Sequence, residues 1–223
     1  MTAPAAVLFD MDGLLVDTEP VWTVAEVELC TALGVEFTPA MKAAIVGTSM
    51  TTAVPTLLRL VGAPAGPDDV ERTITWLLGR MVELFAEAPL ALPGVAALLG
   101  ELTAAEVPVA LVSSSYRVLV DAVLSHGFGP FHVTVAGDEV RRTKPHPEPY
   151  LTAAARLGAD PTRCVVLEDS PAGVKAAEAA GCAVLAVPSV HGVDFDHGPR
   201  RLVVPTLEGV GLSHLADLVR RAA

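Results

Sequence analysis

Two aspartates stand two positions apart at the end of an apolar run. In "AAVLFDMDG", Ala5 to Phe9 runs into Asp10 and Asp12, and Gly13 follows. Other apolar runs end on polar groups in the same way. Ser113 follows "VALV", Glu168 and Asp169 close and follow "CVVL", and Lys144 lies in the polar stretch after "HVTVAG". Carboxylates gathered in one place repel one another, and unless neutralised at least one would have its pKa raised. A divalent cation is the simplest remedy. An all-oxygen ligand set favours Mg²⁺, which keeps some waters and shares coordination with phosphate. No His or Cys stands near these acids at zinc-like spacing, which disfavours zinc. A cation among acids, with one lysine and one hydroxyl, suits a phosphoryl group. Metal and lysine neutralise its oxygens, while Ser113 and strand-end amides donate hydrogen bonds to it. Asp10 is then the group to attack phosphorus, and Asp12 the group to protonate the leaving oxygen and later to activate water.

Taken singly, each group has an ordinary structural role. A D-x-D pair suits a solvated turn or cap, and Ser113 a strand-end turn. Lys144 in "RRTKPHPEPY" suits a surface loop. Glu168 and Asp169 suit the N-terminus of a helix starting near Pro171. Their joint placement at strand ends is what carries the chemical reading. In parallel α/β sheets, ligands bind beyond the carboxyl ends of the strands.

The elements that must position these groups are legible in the same rows. Ala5 to Phe9, Val107 to Ser114, His132 to Gly137, Arg163 to Asp169, Cys182 to Ser189 and Arg201 to Thr206 read as short strands, apolar nearly throughout and bounded by turn residues. Helical patterns cover Val95 to Glu106, Arg117 to His126, Glu148 to Leu157, Ala172 to Ala180 and Leu212 to Ala222. Apolar strands alternating with helices predict a mostly parallel sheet covered on both faces. The stretch from Pro20 to Leu90 differs. It shows helical periodicity and no convincing strand, with one helix ending at Gly34, a second ending at Gly47, and others over Thr51 to Leu60 and Asp68 to Glu87. A helical module is therefore expected to interrupt the α/β pattern after its first strand. Val190 to Arg200 reads as a surface loop.

Composition narrows the partners. The 223 residues are 52% hydrophobic and 18% charged, enough to bury an extensive aliphatic core. A net charge of −11 argues against nucleic acid or anionic membrane as partner, but permits a small anion held at a local positive site. Three cysteines without a C-x-x-C pair fit reduced thiols in a cytoplasmic protein. No basic segment with a long apolar run precedes Asp10, so no signal peptide is expected. No apolar run reaches the ~18 residues of a membrane helix.

"FDMDGLLVDTE", "VALVSSS", "KPHPEPY" and "VVLEDSPAGVKAAEAAG" resemble, in order, the four motifs of the haloacid dehalogenase-like hydrolase superfamily. The subgroup most similar carries a helical cap after its first motif and contains β-phosphoglucomutases and sugar- or polyol-phosphate phosphatases. The resemblance implies an α/β, Rossmann-like three-layer parallel sheet core, residues 1–17 and 91–223, with an inserted helical cap domain, residues 18–90. It implies that Asp10 is the nucleophile and a Mg²⁺ ligand, and that Asp12 is the acid/base, lending the metal its backbone carbonyl. Ser113, Lys144 and the amide of Ser114 would hold the transferring phosphoryl group. Asp169 would complete the metal site, and Glu168 would bind directly or through water. Asp12 argues against dehalogenation, since a departing halide needs no proton.

Within that subgroup, the mutases carry a His early in the cap, where Trp22 stands here, and a cap-loop Arg that has no counterpart near "VGTSM". These differences favour a monophosphate substrate and transfer to water. The expectation is a Mg²⁺-dependent phosphatase acting as a monomer on a small phosphorylated metabolite. The organic part of that substrate would be read by cap residues such as Glu19, Trp22, Thr48 and Ser49. The alternatives are a phosphomutase and a silent phosphometabolite-binding protein.

Overall fold

The computed structural model describes residues 3–87, 91–188 and 195–221. The chain divides into two compact units, one of Met1–Asp17 with Leu90–Ala223 and one of Thr18–Pro89.

The first unit is built on six parallel strands. They are β1 (Ala6–Phe9), β2 (Val109–Val112), β3 (Val133–Val135), β4 (Cys164–Glu168), β5 (Ala183–Ala186) and β6 (Arg201–Val203), in the spatial order β3-β2-β1-β4-β5-β6. β1 pairs with β2 on one side, Phe9 beside Leu111, and with β4 on the other, Phe9 beside Leu167. Every residue of β1, β2, β4 and β5 is buried. Both faces of these strands are covered, which is why they are apolar runs and not alternating patterns. Ala6, Leu8, Ala110, Val112, Cys164, Val166 and Val184 form one packed cluster with Tyr150, Ala153, Val174 and Ala177 from two helices. Phe9 faces the other way and meets Phe131 edge-on, ring centroids 5.9 Å apart.

The helices of this unit are numbered after four that belong to the other one: α5 (Val95–Ala104), α6 (Arg117–Leu124), α7 (Glu148–Arg156), α8 (Pro171–Ala179) and α9 (Leu212–Arg221). Two short 3-10 segments, Gly137–Glu139 and Pro161–Arg163, lie where the sequence shows no periodic signal. β2, β3, β5 and β6 are shorter than their apolar runs predict. Each run extends into turn residues that leave the ladder. Of the loop expected at Val190 to Arg200, residues 190–194 lie outside the described residues, and the remainder contains no strand or helix.

The second unit is helical: α1 (Glu19–Ala32), α2 (Pro39–Ile45), α3 (Met50–Leu60) and α4 (Pro67–Phe85). Gly34 and Gly47 follow α1 and α2 with φ of 74° and 71°, the left-handed conformation expected of them. The Thr38 hydroxyl caps α2 by accepting from the Met41 amide. Lys42 on α2 bridges Glu19 and Glu26 on α1, both at 2.8 Å, tying the two helices together. Among the described residues, no helix is long and apolar enough to cross a membrane.

Candidate active site

The strand order places the chemistry. In a 3-2-1-4-5-6 sheet, β1 and β4 are the adjacent strands whose crossovers run in opposite directions, and the crevice beyond their carboxyl ends is the favoured ligand site. Asp10 is the first residue beyond β1, and its amide bonds the Leu167 carbonyl of β4 at 3.0 Å. Glu168 ends β4 and Asp169 follows it. All three acids are buried. One carboxylate oxygen from each lies within 4.8 Å of the others.

Lys144, reaching in from the loop before α7, is the cation between them. Its ammonium contacts Asp10 Oδ1 and bonds Glu168 Oε1 at 2.7 Å and the Val112 carbonyl at 2.9 Å. It also lies 5.0 Å from the centre of the Tyr150 ring. The Tyr150 hydroxyl donates to Glu168 Oε1 at 2.6 Å. Glu168 Oε2 accepts from the Asp169 amide at 3.1 Å and from the Ser170 amide and hydroxyl, both at 3.0 Å. Five donors thus converge on the Glu168 carboxylate. Ser170 in turn caps α8 by accepting from the Gly173 amide.

Electrostatics separate the two carboxylates that share Lys144. Burial pushes Asp10 well above the usual carboxylate range. Lys144 opposes that, while Glu168, Asp169 and Asp12 add to it. Burial also acts to raise Glu168, but Lys144, Tyr150 and the Ser170 amide outweigh it and hold this carboxyl below its usual value. The difference is one of partners, since Glu168 collects hydrogen bonds from its own turn. Lys144 pays a desolvation cost that Asp10 and Glu168 more than offset, so its ammonium is held above the ordinary range.

Asp12 lies beside this group on a tight turn. Gly13, with φ of 81°, lets the chain double back so that its amide reaches the Val16 carbonyl at 2.8 Å. Asp12 Oδ2 accepts from the Ser113 hydroxyl at 3.0 Å and from the Ser115 hydroxyl at 2.9 Å. Ser113 is buried and Ser114 is exposed.

The structure therefore brings Asp10, Asp12, Ser113, Lys144, Glu168 and Asp169 to one end of the sheet, with Ser114 in the same β2 loop. Glu19, Trp22, Thr48 and Ser49 belong to the helical unit. There the Glu19 carboxylate holds Lys42, and Trp22 is half-buried in α1. Thr48 donates to the Ile45 carbonyl at the end of α2, and Ser49 precedes α3 with its hydroxyl on Thr51 and Thr52. Sequence reasoning passed over Ser115, Tyr150, Ser170 and Gly173. Each sits inside a quoted motif, at a position whose use depends on a neighbour from another strand.

Gly173 shows how tightly this region is packed. A Cβ built there would fall 1.6 Å from Glu168 Oε1. Gly→Ala in a helix ordinarily gains up to ~1 kcal/mol. Here the sign is expected to reverse, Gly173→Ala losing about 1–3 kcal/mol through overpacking. Gly79 in α4, with nothing within 4 Å of the added methyl, is the control expected to gain. Urea denaturation of both variants checks this. A Gly173→Ala variant as stable as the Gly79→Ala variant contradicts the packing.

The acidic cluster fits a hard divalent cation. Its atoms are all carboxylate oxygens, one from each acid lying within 4.8 Å of the others, and three acids share one buried lysine.

Comparison with known proteins gives the family and the fold. Residues 4–181 match the family described as haloacid dehalogenase-like hydrolase. Hexitol phosphatase B of Escherichia coli K12 is 31% identical over 232 residues, covering 97% of this chain and 95% of that protein. A bifunctional riboflavin kinase/FMN phosphatase of Arabidopsis thaliana is 35% identical over 190 residues, which cover 83% of this chain and only 49% of that longer protein. The crystal structure of CbbY from Rhodobacter sphaeroides in complex with phosphate superposes with a TM-score of 0.85 at 29% identity, covering 96% of this chain and 99% of that one.

Proposed function

The chain belongs to the haloacid dehalogenase-like hydrolase family, and on that footing we propose that it is a Mg²⁺-dependent phosphatase of sugar or polyol monophosphates working through a phosphoaspartate. The observation that carries this reading is the lysine set between Asp10 and Glu168, with the Ser113–Asp12 pair beside it. One cation, one hydroxyl, one acid to attack and one to shuttle a proton are the parts that phosphoryl transfer requires.

In this reading an Asp10 oxygen forms a bond to phosphorus as the bond from phosphorus to the alcohol oxygen breaks. Asp12 gives its proton to that departing oxygen. Lys144, Ser113 and the Ser114 amide hold the phosphoryl oxygens. Water then attacks the phosphoaspartate, Asp12 takes a proton from it, and Asp10 is released with inorganic phosphate. Asp10 and Asp169, with the Asp12 carbonyl, would hold the Mg²⁺. Glu168, its two oxygens already accepting five hydrogen bonds, would act through water. When bound, the ion supplies charge neutralisation to the phosphoryl oxygens and to the crowded acids.

Every cation of the helical unit is engaged within that unit. Lys42 holds Glu19 and Glu26, Arg72 holds Asp69, and Arg80 holds Glu28 and Glu83. Arg59 bonds Pro55 and Thr56 of its own helix. A substrate whose organic end carries hydroxyls needs no free cation in this unit. The name of the hexitol phosphatase relative points to the same class.

The test is phosphate release from a panel of hexitol and sugar monophosphates, with Mg²⁺ and with EDTA. Release is expected with Mg²⁺ alone. Mg²⁺ at a hundred times its Kd is also expected to stabilise the protein by about 2.7 kcal/mol, seen as a higher Tm without substrate. No turnover across the panel sinks the phosphatase reading. Isomerisation of β-glucose 1-phosphate with a bisphosphate primer, faster than hydrolysis, replaces it with a mutase.

A further inference from the structure

Ser115 has no part in the phosphoryl chemistry just described, yet its hydroxyl donates to Asp12 Oδ2 at 2.9 Å. The Ser113 hydroxyl donates to the same oxygen at 3.0 Å. The two bonds are not equivalent. A serine hydroxyl carries one proton. Ser113 also accepts from the Ser115 amide at 2.9 Å, and its proton is the one required by the phosphoryl oxygens. Once that proton turns to the substrate, the bond from Ser113 to Asp12 is broken. The Ser115 bond remains.

The Ser115 backbone is also fixed. Its carbonyl accepts the Gly137 amide at 2.8 Å. Gly137 packs so closely on this loop that a Cβ there would lie 2.1 Å from the Ser114 carbonyl oxygen. The hydroxyl therefore projects from a loop pinned to the β3 end of the sheet. It reaches across to an acid 103 positions earlier in the chain.

We propose that Ser115 is a positioning residue for Asp12, holding its carboxyl group through Oδ2 while the acid gives its proton to the departing alcohol. The inference rests on the phosphatase reading. In the protonated acid, Oδ2 serves as acceptor for Ser115 and the mobile proton sits on Oδ1. As the bond from phosphorus to the alcohol oxygen breaks, that proton passes to the departing oxygen. The carboxylate left behind keeps its Ser115 hydrogen bond. A hexitol phosphate, whose alkoxide cannot depart unprotonated, depends on this geometry. p-Nitrophenyl phosphate does not, because p-nitrophenolate is a stable anion.

The experiment compares kcat/KM, which reports the steps through departure of the alcohol, for wild type, Ser115→Ala and Ser115→Thr. Both substrates are measured with Mg²⁺ present, and thermal melts check folding. In Ser115→Ala the ratio of kcat/KM on the hexitol ester to that on p-nitrophenyl phosphate is expected to fall by about tenfold or more. Ser115→Thr, which keeps the hydroxyl, is expected to restore the ratio. Equal losses on the two esters, or no loss on either, would overturn the positioning role while leaving the phosphatase reading intact. A wild-type enzyme inactive on both esters would overturn that reading, and this inference with it.

Discussion

Asp10→Asn is expected to lower kcat by about 10⁴-fold or more, the scale seen when a covalent nucleophile is removed from a group that acts as a unit. Asn has the shape of Asp but no carboxylate oxygen to form the bond to phosphorus. The variant is expected to fold. In the metal-free protein, burial and the neighbouring acids hold Asp10 above its ordinary 3.8. Its ionised form therefore weakens the fold increasingly as pH rises from 3.8 through the raised native value. Neutral Asn removes that cost and leaves Lys144 its Glu168 counter-charge, so its Tm in EDTA is expected to equal or exceed that of the wild type, with a smaller rise on adding Mg²⁺. Single-turnover phosphate release and thermal melts measure both. Retention of a tenth of the wild-type rate rules out the covalent route.

Lys144→Met is expected to damage both stability and rate. Lys144 is almost completely buried, and both its carboxylate partners are too. Removing one partner of a buried ion pair costs about 3–5 kcal/mol, because the charge left behind has neither water nor a counter-ion. The rate is expected to fall by at least about 10²-fold, the scale of losing one preorganised donor to a developing charge. The pH dependence follows from the partners. In the wild type Glu168 lies below its ordinary 4.5. Its contribution is therefore complete above that value and lost as pH falls through the lower native one. Without Lys144, burial raises both Glu168 and Asp10, so protonation stabilises the folded variant. The stability gap between wild type and variant is expected to narrow from about pH 8 to about pH 5, measured by urea denaturation without metal. A gap that widens toward acid contradicts the role of Lys144 as the counter-charge of this pair.

Local pattern determined a good deal by itself. Fully apolar runs of four or five residues, separated by amphipathic stretches, specify a covered parallel sheet, because a strand buried on both faces has no reason to alternate. Glycines after α1 and α2 marked the ends of those helices. Acids and a serine at the ends of apolar runs marked the site, since a strand that stops on a carboxylate places it at the sheet's edge. Asp10, Asp12, Ser113, Glu168 and Asp169 stood out for that reason, and Lys144 only through the motif it belongs to. The four motifs they belong to were readable as well.

Tertiary structure alone decided which of these groups meet. That β1 lies between β2 and β4 follows from crossovers packing against the sheet, and nothing in the first strand states its neighbours. Ser115 looks like a third serine in a run until Asp12 arrives beside it. Tyr150 looks like a core aromatic until its hydroxyl meets Glu168, 18 positions away. Gly173 looks like a weak helix residue until the Glu168 carboxylate fills the space of its missing side chain. Periodicity encodes what a residue does to its own segment, through backbone geometry and burial. Contacts between segments depend on strand order and close packing, which no single window of the chain contains.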